Sequence, residues 1–193
     1  MALKASCFCL LHSTHISHKF GILCAMYRHL QDRYEIEEIG KDYEPFIKEI
    51  VFQAIYVHAG QPAPTRDILK SPDLSKYYKQ WGRNNDHGLV AIHQPSETPV
   101  GGAFVRYYQQ HEAGYGFVSE KYPELNIALL PDHRSKGLGS KLMQRLIEDL
   151  REKGCPGISL SVDLRNHAYE FYRKLGFKTV SLQGNPTMLL LLD

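Results

Sequence analysis

A short apolar run, Leu125 to Leu130, passes through Pro131-Asp132-His133-Arg134-Ser135-Lys136 to two glycines, Gly137 and Gly139, and then into a long amphipathic stretch ending near Lys153. No other stretch constrains the fold as much. Leu138, Leu142, Met143, Leu146, Ile147 and Leu150 recur at helical spacing with charged residues opposite, which predicts a helix packed on one face. Leu125 to Leu130 has the length and apolarity of a buried strand. Glycine at 137 and 139 removes side chains where something must approach the backbone closely. The first amides of a helix have no intrahelical partners, and the aligned peptide dipoles add positive potential beside them. Arg134 and Lys136 flank the same turn. Strand, turn and helix start together suit a phosphate or pyrophosphate.

Around this junction the chain alternates between strand and helix patterns. Tyr34 to Ile39 alternates as a half-buried strand. A helix is expected from an Asp42 cap, with Pro45 in its first turn, through Phe46, Ile47, Ile50, Val51 and Ala54 to a close at Gly60. Ser71-Pro72 predicts a second helix carrying Leu74, Tyr77, Tyr78 and Trp81 on one face. Gly88 to His93 and Val100 to Tyr108 read as a hairpin, followed by a polar, tyrosine-bearing loop from His111 to Pro123. After the long helix come a strand at Ile158 to Val162, a helix at Asn166 to Leu175, and strands at Phe177 to Leu182 and Thr187 to Leu192. The pattern is α/β in a single domain over residues 26–193.

Composition excludes several classes. The 193 residues are 43% hydrophobic and 23% charged, as in an ordinary globular protein. A net charge of +2 is too mild for a protein that coats nucleic acid, and no apolar run approaches the roughly 18 residues of a membrane span. Three of the four cysteines (Cys7, Cys9, Cys24) lie near the start and only Cys155 in the body, so no disulfide framework is indicated and a reducing, cytoplasmic setting is expected. Residues 1–25 lack a sustained period and are expected to be a disordered leader. Their short apolar run, Ala5 to Leu11, is not closed by a cleavage motif, and the spacing of Cys7, Cys9, His12, His15, His18 and Cys24 is not a usual zinc pattern, so no metal is expected.

Two familiar phosphate binders do not fit the junction. A P-loop needs Gly-x-x-x-x-Gly-Lys-Ser/Thr, and a dinucleotide fold wants a third glycine where Leu142 stands. Arg134-x-x-Gly137-x-Gly139 opening a long helix resembles instead the acyl-CoA signature of the GNAT superfamily of N-acyltransferases. Asn166-His-Ala168-Tyr-Glu-Phe-Tyr172-Arg-Lys-Leu-Gly176-Phe177 resembles that family's second hallmark, with Asn166 one residue nearer Ala168 than the pattern has it and Arg165 at the expected position. The resemblance covers Tyr34 to Leu192. It implies a mixed, mostly antiparallel central sheet flanked by helices, acetyl-CoA as co-substrate, and a V-shaped opening between the strand ending near Leu130 and the strand from Ile158.

In that opening the resemblance has pantetheine pairing with the backbone of Ala128 and Leu129, and the pyrophosphate held by Arg134, Ser135, Lys136, Gly137, Leu138, Gly139 and Ser140, with Asn166 a further cofactor contact. Tyr172 is the implied general acid, its alternative being to pack its helix. Glu124 is the expected base, its alternative being an exposed edge glutamate; His111, Glu112, Glu120 and Tyr122 are other candidates, and His133 and His167 read as surface residues. Tyr107, Tyr108, Tyr115 and Tyr122 line the acceptor side or cover a sheet face, and Trp81 reads as a packing anchor. The expected function is acetyl transfer to a primary amine of a small molecule or protein, with a non-catalytic acyl-CoA sensor as the alternative and a homodimer as the expected association.

Overall fold

The structure, a computed structural model, describes residues 33–83 and 85–192, so the readings made for residues 1–25 lie outside it. The alternating runs pair as one sheet of seven strands: β1 (Tyr34–Glu38), β2 (His87–His93), β3 (Thr98–Arg106), β4 (Glu124–Leu129), β5 (Gly157–Ser161), β6 (Lys178–Ser181) and β7 (Thr187–Leu191), in the order β1-β2-β3-β4-β5-β7-β6. Every neighbouring pair is antiparallel except β4 and β5. The mixed, mostly antiparallel sheet flanked by helices is therefore present as expected.

Helices α1 (Glu44–Ala54), α2 (Pro72–Ser75), α3 (Leu138–Glu152) and α4 (Ala168–Lys174) cover the sheet. Successive strand side chains point to opposite faces, which divides the core in two. On one face the apolar stripe of α3, with Leu142, Met143 and Leu146 fully enclosed, packs on Leu89, Val105, Ile158 and Leu160, and Tyr172 of α4 joins it. On the other, Ile47, Ile50 and Val51 of α1 meet Val90 and Phe104, together with Leu69, Tyr77, Tyr78 and Trp81. Trp81 is the expected packing anchor, edge-on to Phe104 at 5.3 Å.

Two helices differ from expectation in their bounds. α1 starts at Glu44 after a 3-10 turn, Lys41–Tyr43; no side chain caps it, and Asp42 lies inside that turn. It stops at Ala54, six residues short of Gly60, where Ile55 turns extended and the residues that follow reach across to the loop after β5. The helix predicted from Ser71 to Trp81 is a single turn, followed by irregular turns in which Gln80 takes φ +56. These turns are gathered by Arg106, whose enclosed guanidinium collects the carbonyls of Lys76, Lys79 and Gln80. Of these, the Lys76 carbonyl is the one that a helix running to Trp81 would give to the Gln80 amide. Asp86 completes the charge balance at 2.6 Å.

Candidate active site

Parallel β4 and β5 share one pair of ladder partners, Glu124 and Ser159, where the Ser159 amide donates to the Pro123 carbonyl at 2.9 Å. Beyond that point the strands diverge, while β4 stays paired to β3 and β5 to β7 along their lengths. The sheet thus carries a wedge with its vertex at Glu124. The Leu130 amide donates to Val100 at 2.8 Å, and antiparallel alternation then turns the backbone groups of Ala128 toward Gly102 on β3. Those of Ile127 and Leu129 face the gap. The Leu129 carbonyl already accepts Arg134 Nε at 2.9 Å, which leaves the Leu129 amide as its available group. Register therefore separates Ala128 from Leu129, which the sequence reading paired as backbone partners.

The chain leaves β4 through a tight turn into α3. Ser135 and Gly137 both sit in the left-handed region, at φ +58 and +82. This twist points successive amides outward, and none from Ser135 to Ser140 donates to a backbone carbonyl among the described residues; the first to do so is Lys141, to Gly137. Leu138 is buried and anchors the helix start, while Arg134, Ser135, Lys136, Gly137 and Ser140 are exposed. A Cβ on Gly139 would meet nothing closer than Leu129 Cδ1 at 3.8 Å, so the fold itself does not require glycine there. The flanking cations are tethered within the protein: Arg134 Nη2 donates to Gln53 Oε1 at 2.8 Å, and Lys136 Nζ to the Asp132 carbonyl at 2.6 Å.

Glu124, at the vertex, is 4% exposed, which rules out the edge-glutamate reading. Its Oε1 accepts the Tyr77 hydroxyl at 2.7 Å and the Gly116 amide at 2.9 Å; its Oε2 has no partner among the described residues. Tyr77 in turn accepts the Tyr115 amide at 2.7 Å, and Lys76 Nζ donates to the Ala113 carbonyl at 2.8 Å, so the loop before β4 is pinned over the carboxylate. Two glycines make this possible. A Cβ on Gly114 would overlap Glu124 Oε2, and one on Gly116 would come within 2.5 Å of the Leu160 backbone on β5. Burial pushes the Glu124 carboxyl up to about 7, against the lowering effect of its two hydrogen bonds and Lys76. A group poised there exchanges protons readily at neutral pH.

The other carboxylates of this loop are engaged elsewhere, Glu112 with Arg83 at 3.3 Å and Glu120 with the Gln110 amide at 3.1 Å, while His111 is exposed. Tyr122 packs on the Gly157 backbone and Tyr107 donates to Cys155 Sγ at 3.5 Å. Tyr108 is enclosed edge-on to Tyr77, and Tyr115 is exposed, stacked on Tyr77 at 6.4 Å. Half-buried His133 shares a hydrogen bond with the Tyr34 hydroxyl at 2.9 Å. Nothing in the sequence pattern pointed to Tyr77 or Gly114; their role becomes visible only when the loop closes on Glu124.

Tyr172 lies on α4, on the opposite face of the sheet from the Tyr77 cluster, between Phe171 and Phe177 at 5.5 and 5.6 Å. Burial raises its phenol pKa, and its hydroxyl has no hydrogen bond among the described residues. Asn166 Oδ1 accepts the Ala168 amide at 2.9 Å and so shapes the turn into α4. Arg165, at the motif position expected for asparagine, reaches back to Asp163 and His58. Among the described residues no group of three side chains is arranged to hold a metal ion, and no helix is long and apolar enough to cross a membrane.

A seven-stranded sheet split between two parallel strands, with helix-start amides that have no partner among the described residues at the mouth of the split, is the arrangement that the sequence resemblance implies. The family model for the acetyltransferase (GNAT) family matches residues 52–177, and the chain belongs to that family. A Haemophilus influenzae [ribosomal protein bS18]-alanine N-acetyltransferase is 40% identical over 60 residues, 31% of this chain and 41% of that protein. The chain thus spans under half the length of that relative. A Bacillus subtilis protein provisionally given the same name is 27% identical over 62% of this chain and 78% of its own. Among solved structures, a GNAT-family acetyltransferase from Staphylococcus aureus superposes with a TM-score of 0.60 at 18% identity, covering 83% of this chain and 99% of that one. A Salmonella typhimurium acetyltransferase solved with acetyl-CoA gives 0.59 at 22% identity, covering 83% and 94%.

Proposed function

We propose that this protein is an N-acetyltransferase that moves the acetyl group of acetyl-CoA to a primary amine of a small molecule or protein by direct attack in a ternary complex. The observation that carries the reading is the wedge between β4 and β5, with six successive amides at its mouth that donate to no backbone carbonyl among the described residues. The amides from Ser135 to Ser140 hold the pyrophosphate, with Arg134 and Lys136 adding positive charge, and pantetheine lies in the gap against the backbone of Ile127 and Leu129. Asn166, at the start of α4, borders the cofactor from the β5 side.

The amine nitrogen attacks the thioester carbonyl carbon, a C–N bond forms, and the C–S bond breaks. The Leu129 amide stabilises the oxyanion. Glu124 takes the amine proton, directly or through a water, and a carboxyl near 7 is half ionised where it must act. Tyr172 gives its proton to the departing thiolate; its raised pKa keeps the phenol protonated at neutral pH. The two side chains stand on opposite faces of the sheet, so amine and leaving thiol are served from opposite sides. We assign the reaction to the cytoplasm, in keeping with the free thiol of Cys155.

The test is thermal and kinetic. Acetyl-CoA at 100 times its dissociation constant stabilises a native-state binder by about 2.7 kcal/mol, so the melting temperature rises. Free thiol must then appear in the presence of an amine panel, and Tyr172→Phe must slow it about 10²- to 10⁴-fold without loss of the thermal shift. A thermal shift with no thiol release from any amine would favour a non-catalytic acyl-CoA sensor; no shift at all would sink the cofactor assignment.

A further inference from the structure

The arginine of the turn into α3 is held from α1. Glu49 and Gln53 stand one helical turn apart on the same side of that helix. Gln53 Oε1 accepts Arg134 Nη2 at 2.8 Å, and Gln53 Nε2 donates to Glu49 Oε1 at 2.9 Å. The amide stands this way round because a guanidinium needs an acceptor and a carboxylate a donor. Glu49 is gripped in turn by both terminal nitrogens of Arg66, Nη1 on Oε2 and Nη2 on Oε1, the latter at 3.1 Å. Arg66 opens the 3-10 turn Arg66–Lys70 and lies over the Phe52 ring at 4.6 Å. A chain of side chains thus runs from Arg66 across α1 to Arg134, whose Nε donates to the Leu129 carbonyl on β4 at 2.9 Å.

Charge cancels along this chain except at its end. Arg66 neutralises Glu49, and its hydrogen bonds hold that carboxyl below the ordinary range. Gln53 is neutral and so is the Leu129 carbonyl, so Arg134 is fixed by two acceptors that carry no formal charge. Its Nε and one N–H of Nη2 are engaged, and both N–H groups of Nη1 remain uncommitted among the described residues. A glutamate at 53 would hold Arg134 at least as well, and would cancel its charge in doing so. Glutamine holds the side chain and leaves the charge for a ligand.

We propose that Gln53 is a positioning residue for the cofactor: with Glu49 and Arg66 behind it, it sets Arg134 at the mouth of the wedge for the pyrophosphate and leaves its charge undiminished. This rests on the acetyl-CoA site proposed above. The gain is preorganisation. An arginine side chain loses rotamer freedom when it grips a phosphate, and one already held loses less. Arg134 is exposed, so packing does not restrain its end; among the described residues the contacts with Leu129 and Gln53 do.

The test uses the full chain and measures dissociation constants by calorimetry for CoA and for a CoA fragment ending at the diphosphate, so no acceptor is needed. Gln53→Met keeps the length of the side chain and removes the acceptor. It is expected to raise both constants by the same factor, about five- to tenfold, the loss of one hydrogen bond. Gln53→Glu keeps the acceptor and adds a charge. It is expected to raise both constants about tenfold at low salt and less as salt is added. A role confined to tethering or packing would leave Gln53→Glu like the wild type. Melting temperatures of the free proteins confirm that both variants fold. Unchanged constants in Gln53→Met, wild-type constants in Gln53→Glu at low salt, or a rise for CoA without one for the fragment overturns the assignment. The last of these would mean that the contact serves the pantetheine arm through β4. Should CoA bind as expected while no amine gives thiol release, amine acetylation fails and the positioning role stands. Should the wild type bind neither ligand, the cofactor site and this inference fall together.

Discussion

Glu124 holds its place through three contacts that oppose its burial only in part: the Tyr77 hydroxyl, the Gly116 amide and the field of Lys76. Its folded pKa of about 7 stands above the ordinary 4.5. Between those values the native carboxyl retains a proton that the unfolded chain has released. Stability is therefore lost as pH rises through that window, by about 3 kcal/mol once both states are ionised. Glu124→Gln removes the titration. Relative to wild type it is expected to be more stable at pH 8 than at pH 5, a difference read from melting temperatures at the two values. A stability difference independent of pH would mean that native Glu124 is already ionised at pH 5. In kinetics with one acceptor for both proteins, the wild type loses kcat as pH falls below about 7, and Glu124→Gln is expected to lack that limb while running about 10²- to 10⁴-fold slower.

The turn into α3 uses its two glycines for different reasons, and substitution separates them. Gly137 is left-handed, so Gly137→Ala is strained and is expected to cost about 1 kcal/mol of stability. Gly139 has ordinary backbone and room for a methyl group, so Gly139→Val is expected to leave the melting temperature of the free protein nearly unchanged while abolishing the rise caused by acetyl-CoA. Equal thermal shifts in Gly139→Val and wild type would show that no ligand approaches that backbone. This turn was legible in the sequence because it is local: strand, glycines and amphipathic helix are contiguous, and their periods are strong. The elements that misled were those governed from a distance. Nothing near Tyr77 announces that Arg106 gathers the carbonyls of Lys76, Lys79 and Gln80, where irregular turns stand in place of the helix expected from Ser71. Ala128 and Leu129 are adjacent in sequence, yet only the register with β3 decides which of them presents its backbone to the gap. Likewise Tyr77 lies 47 residues from Glu124 in the chain, and no spacing rule links it, or the glycines at 114 and 116, to that carboxylate.

At the scale of the molecule, the sheet consists of a four-stranded part, β1 to β4, and a three-stranded part, β5, β7 and β6, joined in the ladder only at Glu124 and Ser159. The apolar face under α3 and the close approach of Gly116 to β5 join the two parts on either side of the gap. Such a gap has strand-like hydrogen-bonding groups on its β4 side, and an extended pantetheine arm supplies amides and carbonyls to meet them, as an added strand does. Hydrogen exchange resolves this amide by amide. In the free protein the amides of Ile127 and Leu129 are expected to exchange faster than that of Ala128, which is bonded to β3, and CoA is expected to slow Ile127 and Leu129 while leaving Ala128 as it was. A CoA fragment ending at the diphosphate should slow Ser135 to Ser140 and leave Ile127 and Leu129 fast, because it lacks the arm. Protection of the loop by intact CoA without protection of β4 would mean that the cofactor's phosphates dock but its thiol end lies outside the wedge, and Glu124 and Tyr172 would then have no reaction to serve.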